Sequence, residues 1–277
     1  MAKKKITASQ VVLTGLLIVT GLYLVCCVGL TLAQRRLIYY PCTVGAAEVQ
    51  SRAAKRGFEQ WTNSRGEFIG WYRGGVSSSA ARTILLLHGN AGCASDWFHY
   101  SEGFQSAAAF EFYILEYPGY GGRKGSATQS SILAAADEAF AMIRQPCSIF
   151  LVGESLGSGP ACYLAGKQEQ VGGVFLVAPY DTMTGAAQSH LPLFPVRWML
   201  RDKYPSKDWL KSFHGPLAVL LAEKDRVIPS KLGRKLFDGY AGPKKLWVEP
   251  GATHDDVHQP RAEIYKAVVR FWKEDSQ

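Results

Sequence analysis

The stretch Ile149-Phe150-Leu151-Val152-Gly153-Glu154-Ser155-Leu156-Gly157-Ser158-Gly159 decides the fold class. An apolar run leads into G-x-S-x-G, and a helix-forming segment follows. A buried strand that turns sharply into a helix holds the residue at the apex, Ser155, in a strained conformation. Glycine at 153 and 157 lets the two arms of the turn approach each other. The same turn presents the serine hydroxyl at a helix N-terminus, where unpaired N–H groups and the helix dipole favour developing negative charge. Gly and Ser are also common turn filler, so the pattern takes its meaning from the strand before it and the helix after it.

Outward from this turn, short apolar runs alternate with helical periodicity. Phe58–Trp61 and Phe68–Arg73 flank the turn-like Asn63-Ser64-Arg65-Gly66 and predict a hairpin. Thr83–Leu87, Phe110–Leu115, Ile149–Val152, Val174–Val177, Leu217–Leu221 and Lys245–Val248 predict buried strands. Between them, Ser130–Arg144 places Ile132, Ala136, Phe140 and Ile143 on one helical face, and Ala262–Trp272 does the same with Ile264, Val268, Phe271 and Trp272. This alternation predicts an α/β fold, a mostly parallel sheet with helices on both faces, whose active site lies at the C-terminal strand ends. No internal repeat or low-complexity linker interrupts residues 37–277, which read as one domain.

A serine hydroxyl is a weak nucleophile that needs a base, and the base needs an orienting acid. After a nucleophile elbow the expected chain order is Ser, acid, His. The strand Leu217–Leu221 runs into Asp225, and Lys245–Val248 runs into His254, so both residues fall at the sheet edge that carries Ser155. Ser155, Asp225 and His254 are therefore the expected triad. Asp181, after Val174–Val177, is the rival acid, and Glu223 reads as a solvated loop charge. His99, His190, His214 and His258 have ordinary structural readings. Thr83–Leu87 ends in His88-Gly89-Asn90-Ala91-Gly92, and the backbone N–H groups of Asn90 and Leu156 are the expected oxyanion donors, with His88 structural.

The N-terminal segment carries a second signal. Lys3, Lys4 and Lys5 precede an uncharged run from Val11 to Ala33, closed by Arg35 and Arg36, with no acidic residue before Glu48. As a helix these residues rise about 35 Å, against a hydrocarbon core of roughly 30 Å. Residues 11–33 thus predict a transmembrane helix behind a basic flank, residues 1–10. The competing reading, a cleaved signal peptide, normally has a shorter apolar region, although Thr31-Leu32-Ala33 is a passable cleavage site. Both flanks are basic. Three lysines against two arginines favour an N-terminus in the cytoplasm and a catalytic domain outside it. Cys26 and Cys27 lack the small preceding residues of a lipoprotein site. Cys42, Cys93, Cys147 and Cys162 permit disulfides without demanding them.

These blocks, with Tyr117-Pro118-Gly119-Tyr120-Gly121, Glu223-Lys224-Asp225-Arg226-Val227-Ile228-Pro229 and Gly251-Ala252-Thr253-His254-Asp255-Asp256, resemble the α/β-hydrolase superfamily. More narrowly, the chain is similar to the single-pass, membrane-anchored serine hydrolases of the YfhR-like and alpha/beta-hydrolase-domain group, an anchor followed by Leu37-Ile38-Tyr39-Tyr40-Pro41 included. Thr253 departs from the glycine usual before the histidine. The resemblance covers about residues 58–272 and implies ester, thioester or amide hydrolysis without a cofactor, on lipid or acylated-protein substrates.

Composition fits this reading. Of 277 residues 47% are hydrophobic and 19% charged, which excludes intrinsic disorder, and 28 Gly without a G-x-y period exclude collagen. The net charge of +8 at first suggests nucleic acid or an anionic surface. Five of the 31 basic residues lie in residues 1–36, leaving 26 against 23 acidic ones in the remainder, so the excess belongs largely to the ends of the apolar helix. Nucleic acid is not an expected partner. His254-x-x-x-His258 has the spacing of a zinc helix but lacks the adjacent Glu and a third ligand, so no metal site is expected. No P-loop occurs, and Gly119-x-Gly121 lacks a third glycine.

Residues 178–216 must cross the active edge within 39 residues and predict a small lid with its own helix. Its apolar part, Leu191–Leu200, is expected to line an acyl pocket, touch the bilayer, or pack on the core. The expectation is a membrane-tethered serine hydrolase of esters or thioesters. A non-catalytic scaffold on the same fold, or a serine peptidase, is the alternative.

Overall fold

In the computed structural model, which describes residues 7–42, 44–74, 82–143 and 148–274, each of the eight apolar runs becomes a strand of one sheet. The strands are β1 Glu59–Thr62, β2 Phe68–Arg73, β3 Arg82–Leu87, β4 Phe110–Leu115, β5 Ile149–Glu154, β6 Val171–Val177, β7 Leu217–Ala222 and β8 Lys244–Glu249. Their order is β1-β2-β4-β3-β5-β6-β7-β8. The β1–β2 hairpin is antiparallel and β2 pairs antiparallel with β4; every pairing from β4 to β8 is parallel.

The helices are α1 Ala8–Ile38, α2 Ala46–Lys55, α3 His99–Gln105, α4 Gln129–Met142, α5 Ser158–Lys167, α6 Met183–His190, α7 Val196–Met199, α8 Ser206–Trp209, α9 Ser230–Gly239 and α10 Ala262–Glu274. Alternation along the strands assigns side chains to the two faces. Ile84, Leu86 and Val152 pack into one buried layer with residues of α2, α3 and α10, whereas Leu85, Leu87 and Leu151 pack into the other with residues of α4, α5 and α9. Both faces are covered along β3 to β7, which is why these strands are apolar nearly throughout, whereas the edge strand β8, expected to be buried, is only half-buried and leaves Lys245 and Val248 exposed. Ile132, Ala136 and Phe140 of α4 are buried as their spacing predicts, although the helix ends at Met142, with Ile143 as its cap. The sequence pattern had not separated α2, α3 and α9, which are short and mixed in composition.

Helix α1 is 31 residues long with a mean hydropathy of 2.6 over its most apolar window, long and apolar enough to cross a membrane. It extends beyond residues 11–33 at both ends. Thr7 caps its start, accepting from the Gln10 N–H, while Arg35 and Arg36 in the last turn suit the negative end of the helix dipole. Its apolar faces are exposed as far as Cys26, but the last turns lie against the α/β domain. Gln34 is buried there: Nε2 donates to the Met199 carbonyl and Oε1 accepts from the Arg201 N–H. Arg35 pairs with Asp202 at 3.3 Å, and the Tyr39 hydroxyl lies 3.0 Å from the same carboxylate.

The segment 178–216 holds three short helices, α6 to α8, rather than one. Its apolar part divides between two of the expected roles. Val196 and Leu200 are buried, whereas Leu193 and Trp198 are 82% and 81% exposed. Among the described residues no disulfide forms, and Cys26, Cys27, Cys42, Cys93 and Cys162 are free thiols. Lys3, Lys4, Lys5, Arg144 and Cys147 lie outside the described residues.

Candidate active site

The turn after β5 is as tight as G-x-S-x-G predicts. Ser155 has φ +47°, a left-handed conformation that costs a side-chain-bearing residue roughly 1–3 kcal/mol and persists only when its surroundings enforce it. Two glycines enforce it by close packing. A Cβ on Gly153 would stand 2.6 Å from the Gly157 carbonyl oxygen, and one on Gly157 would overlap the Leu87 carbonyl at the end of β3. The elbow is thereby pressed against the strand that leads into the His88–Gly92 loop.

Ser155, Asp225 and His254 come together. His254 Nε2 lies 3.1 Å from Ser155 Oγ, and His254 Nδ1 lies 2.6 Å from Asp225 Oδ2. The other carboxylate oxygen of Asp225 accepts the N–H groups of Val227 and Ile228 at 2.8 and 2.7 Å. With three donors and a buried position, Asp225 is fixed as an acceptor, so the network assigns the proton of neutral His254 to Nδ1 and leaves Nε2 to accept from serine. Asp181, the rival acid, is turned elsewhere and pairs with Lys235 at 2.7 Å. Glu223 is exposed but not idle: its carboxylate accepts the Gly251 N–H and ties the acid loop to the histidine loop. Thr253 donates through both N–H and Oγ1 to Asp256, which bends the chain immediately before His254.

The other side of the site is the loop after β3. Ala91 sits at φ +59°. The Asn90 N–H has no acceptor among the described residues, and the Leu156 N–H lies in the first turn after the elbow, among the amides that a helix start leaves unpaired. Asn90 contributes its side chain as well. Its Nδ2 donates to the Ile38 carbonyl at the end of α1, and its Oδ1 accepts from the Tyr40 N–H and the Tyr120 hydroxyl. A backbone donor alone would not require asparagine at 90, and this clamp on the end of α1 gives the side chain a role. Tyr117 donates to the His88 carbonyl and stacks on its ring, while His88 Nε2 lies 3.2 Å from buried Glu116. His88 is fully buried among these partners.

Sequence reasoning passed over a buried carboxylate beside Ser155. Glu154 accepts from Trp97 Nε1 at 2.8 Å and the Tyr100 hydroxyl at 2.6 Å, and lies 2.9 Å from His258 Nδ1. The signal was present: Glu154 is the one charged residue in a strand otherwise buried and uncharged, and such a group requires partners. Burial, reinforced by the Glu154 charge, raises the Tyr100 phenol and keeps it a donor. For His258, burial opposes the charged form, but the hydrogen bond and charge of Glu154 outweigh it and the net shift is upward. His258 thereby anchors the chain just past His254 to the base of the elbow.

A pH dependence follows. With a folded pKa above the ordinary 6.5, the charged pair stabilises the fold fully below pH 6.5 and loses that contribution as pH rises through the folded value. His258→Gln keeps a donor without the charge. Thermal melts are expected to show the largest gap between wild type and His258→Gln near pH 6, shrinking towards pH 9. A gap that does not change with pH would contradict this role.

A cavity of about 530 Å³ opens above Ser155 and His254, walled by Tyr40, Asn90, Trp97, Val227 and His258. No group of three or more metal-ligating side chains occurs among the described residues.

Comparison with known proteins agrees with this fold. A family model described as the alpha/beta hydrolase fold matches residues 82–208. An uncharacterized Mycobacterium tuberculosis protein, Rv2307c, is 30% identical over 229 residues, 80% of this chain and 81% of its own. The lysophosphatidylserine lipase ABHD12 of Macaca fascicularis is 28% identical over 75% of this chain and 58% of its own length. Among solved structures, the Butyrivibrio proteoclasticus protein Est1E with bound ferulic acid superposes with a TM-score of 0.62 at 14% identity, covering 79% of this chain and 99% of that one.

Proposed function

The chain belongs to the α/β-hydrolase superfamily, and from that premise we propose that it is a serine hydrolase cleaving a carboxylic ester or thioester at a membrane. The observation that carries the reading is the relay of Asp225, His254 and Ser155 at 2.6 and 3.1 Å, with the serine on a strained turn at a helix start.

The chemistry runs through an acyl-enzyme. Ser155 Oγ attacks the acyl carbon while His254 Nε2 takes its proton, and the N–H groups of Asn90 and Leu156 receive the negative charge that develops on the carbonyl oxygen. Asp225 holds the imidazole and stabilises its cation. His254 then protonates the departing alkoxide or thiolate. Water, deprotonated by His254, attacks the acyl-serine, and the carboxylic acid leaves as the proton returns to Ser155. No cofactor takes part.

In this reading α1 is an uncleaved anchor with its N-terminus in the cytoplasm and the catalytic domain on the opposite side. The three lysines before the helix against two arginines after it support that orientation. A lipid or acylated substrate accords with such tethering and with the lipase named among the relatives. The test is reaction of the full-length protein with a fluorophosphonate probe and with p-nitrophenyl acetate. Labelling and turnover are expected from wild type and neither from Ser155→Ala. A folded wild type that does neither would refute the proposal.

A further inference from the structure

The apolar helix α1 does more than lead into the catalytic domain, because it lies along the lid. Tyr23, in the middle of the apolar run, donates its hydroxyl to the Leu193 carbonyl at 3.0 Å and stacks on Phe194 with ring centroids 5.6 Å apart. Eleven residues later Gln34 is buried against Met199 and Arg201. That separation corresponds to about 16 Å of helix rise, so the lid follows the helix over roughly half the hydrocarbon thickness. With residues 11–33 across the bilayer, the tip of the lid sits at acyl-chain depth. The exposure of Leu193 and Trp198 beside the helix is the surface such a position requires.

Between helix and lid runs an apolar groove of about 300 Å³, lined from α1 by Leu30 and Leu37 and from the lid by Ala187, Leu191, Met199 and Leu200. It adjoins the catalytic cavity. Tyr40 lines both, and His190, on the groove, lies 2.8 Å from the carbonyl of Val227, which walls the catalytic side. The groove is almost purely apolar, whereas the cavity above Ser155 is lined by polar and ionisable side chains. A long apolar chain and a small polar head, joined at a carbonyl over Ser155, match the two compartments.

We propose that the groove between α1 and the lid is the acyl-chain site for an ester of a membrane lipid, so that the membrane helix itself forms one wall of the substrate pocket. This rests on the serine-hydrolase reading above. A lipid in the bilayer then delivers its chain sideways into the groove, without leaving an apolar surrounding, and its ester reaches Ser155 at the junction marked by Tyr40.

The experiment uses the full-length protein in phosphatidylcholine nanodiscs, with p-nitrophenyl palmitate and p-nitrophenyl acetate as long- and short-chain probes. Ala187→Trp fills the groove from the lid and Leu30→Trp fills it from α1. Each is expected to lower the palmitate-to-acetate ratio of kcat/KM at least tenfold. An unchanged ratio in both variants would overturn the proposal. Leu30→Trp decides alone if Ala187→Trp no longer takes up a fluorophosphonate, since residue 30 lies on a helix outside the domain core. A wild type that cleaves an S-palmitoyl peptide but releases no fatty acid from monopalmitoyl glycerol in the same nanodiscs would also overturn it, and would assign the groove to acylated proteins. Failure of wild type to turn over even the acetate is a separate result, which counts against the serine-hydrolase reading itself.

Discussion

Ser155→Ala is expected to lower kcat/KM for a simple ester by on the order of 10⁴–10⁶, with the fold intact. The size follows from the arrangement rather than from the hydroxyl alone. Once Oγ is gone, the base has nothing to activate, and only binding and the oxyanion donors continue to act. His254→Ala in the Ser155→Ala background should therefore cost almost nothing more, because the two side chains work as a unit. Alanine keeps the Cβ that serine already places at φ +47°, so the strain of the turn is unchanged and the melting temperature should move by only about a few degrees. Asp225→Asn offers a graded comparison. Its carbonyl oxygen can still accept from Val227 and Ile228, but its amide presents hydrogens to His254 Nδ1 and forces the wrong tautomer, which costs roughly 10⁴. Steady-state kinetics on the purified variants measure all three. Turnover by Ser155→Ala within a factor of ten of wild type would remove serine from the mechanism.

The second large effect is on stability. Gly157→Ala adds one methyl group at an ordinary φ of −65°, so no backbone strain is involved. The new Cβ would overlap the Leu87 carbonyl and stand 2.7 Å from the His88 carbonyl oxygen. Both atoms belong to the β3 backbone and the loop it feeds, which cannot swing aside as a side chain would. Overpacking of this kind costs about 1–3 kcal/mol where neighbours adapt, and a rigid backbone neighbour places this substitution at or above the upper end. A loss of about 3 kcal/mol corresponds to a fall of roughly 6–12 °C in Tm for a domain of this size. Activity should fall further than stability alone accounts for, because the displaced strand carries the Asn90 loop. Calorimetry and ester turnover on the same sample separate the two losses. A variant that melts like wild type would show that the elbow and β3 do not pack as described.

The legibility of the sequence varied with the physical signal. Strands buried on both faces are apolar throughout, and for that reason β3 to β7 were located to within a few residues. The expected triad was legible because chain order and strand ends restrict which loops can meet, and the structure brings Ser155, Asp225 and His254 within hydrogen-bonding distance. Partners that are distant in sequence were not legible. Glu154 stood out as a buried charge, but nothing in the local pattern indicated that Trp97, Tyr100 and His258 would converge on it. Asn90 was read for its backbone alone, since its side chain finds its partners 50 and 52 residues earlier, on Tyr40 and Ile38. The lid was read as apolar without a direction, because the helix it leans on lies more than 150 residues away. Periodicity reports which face is apolar, not which element covers it.

The central claim is that Ser155 carries the acyl group, and mapping the site of covalent reaction tests it most directly. Full-length protein in nanodiscs would be treated with p-nitrophenyl acetate, quenched in acid during turnover, digested and analysed by mass spectrometry. An acetyl increment is expected on the peptide containing Ser155, localised to that serine and absent from the Ser155→Ala protein. An acetyl group found on a different side chain, together with turnover that survives Ser155→Ala, would contradict it.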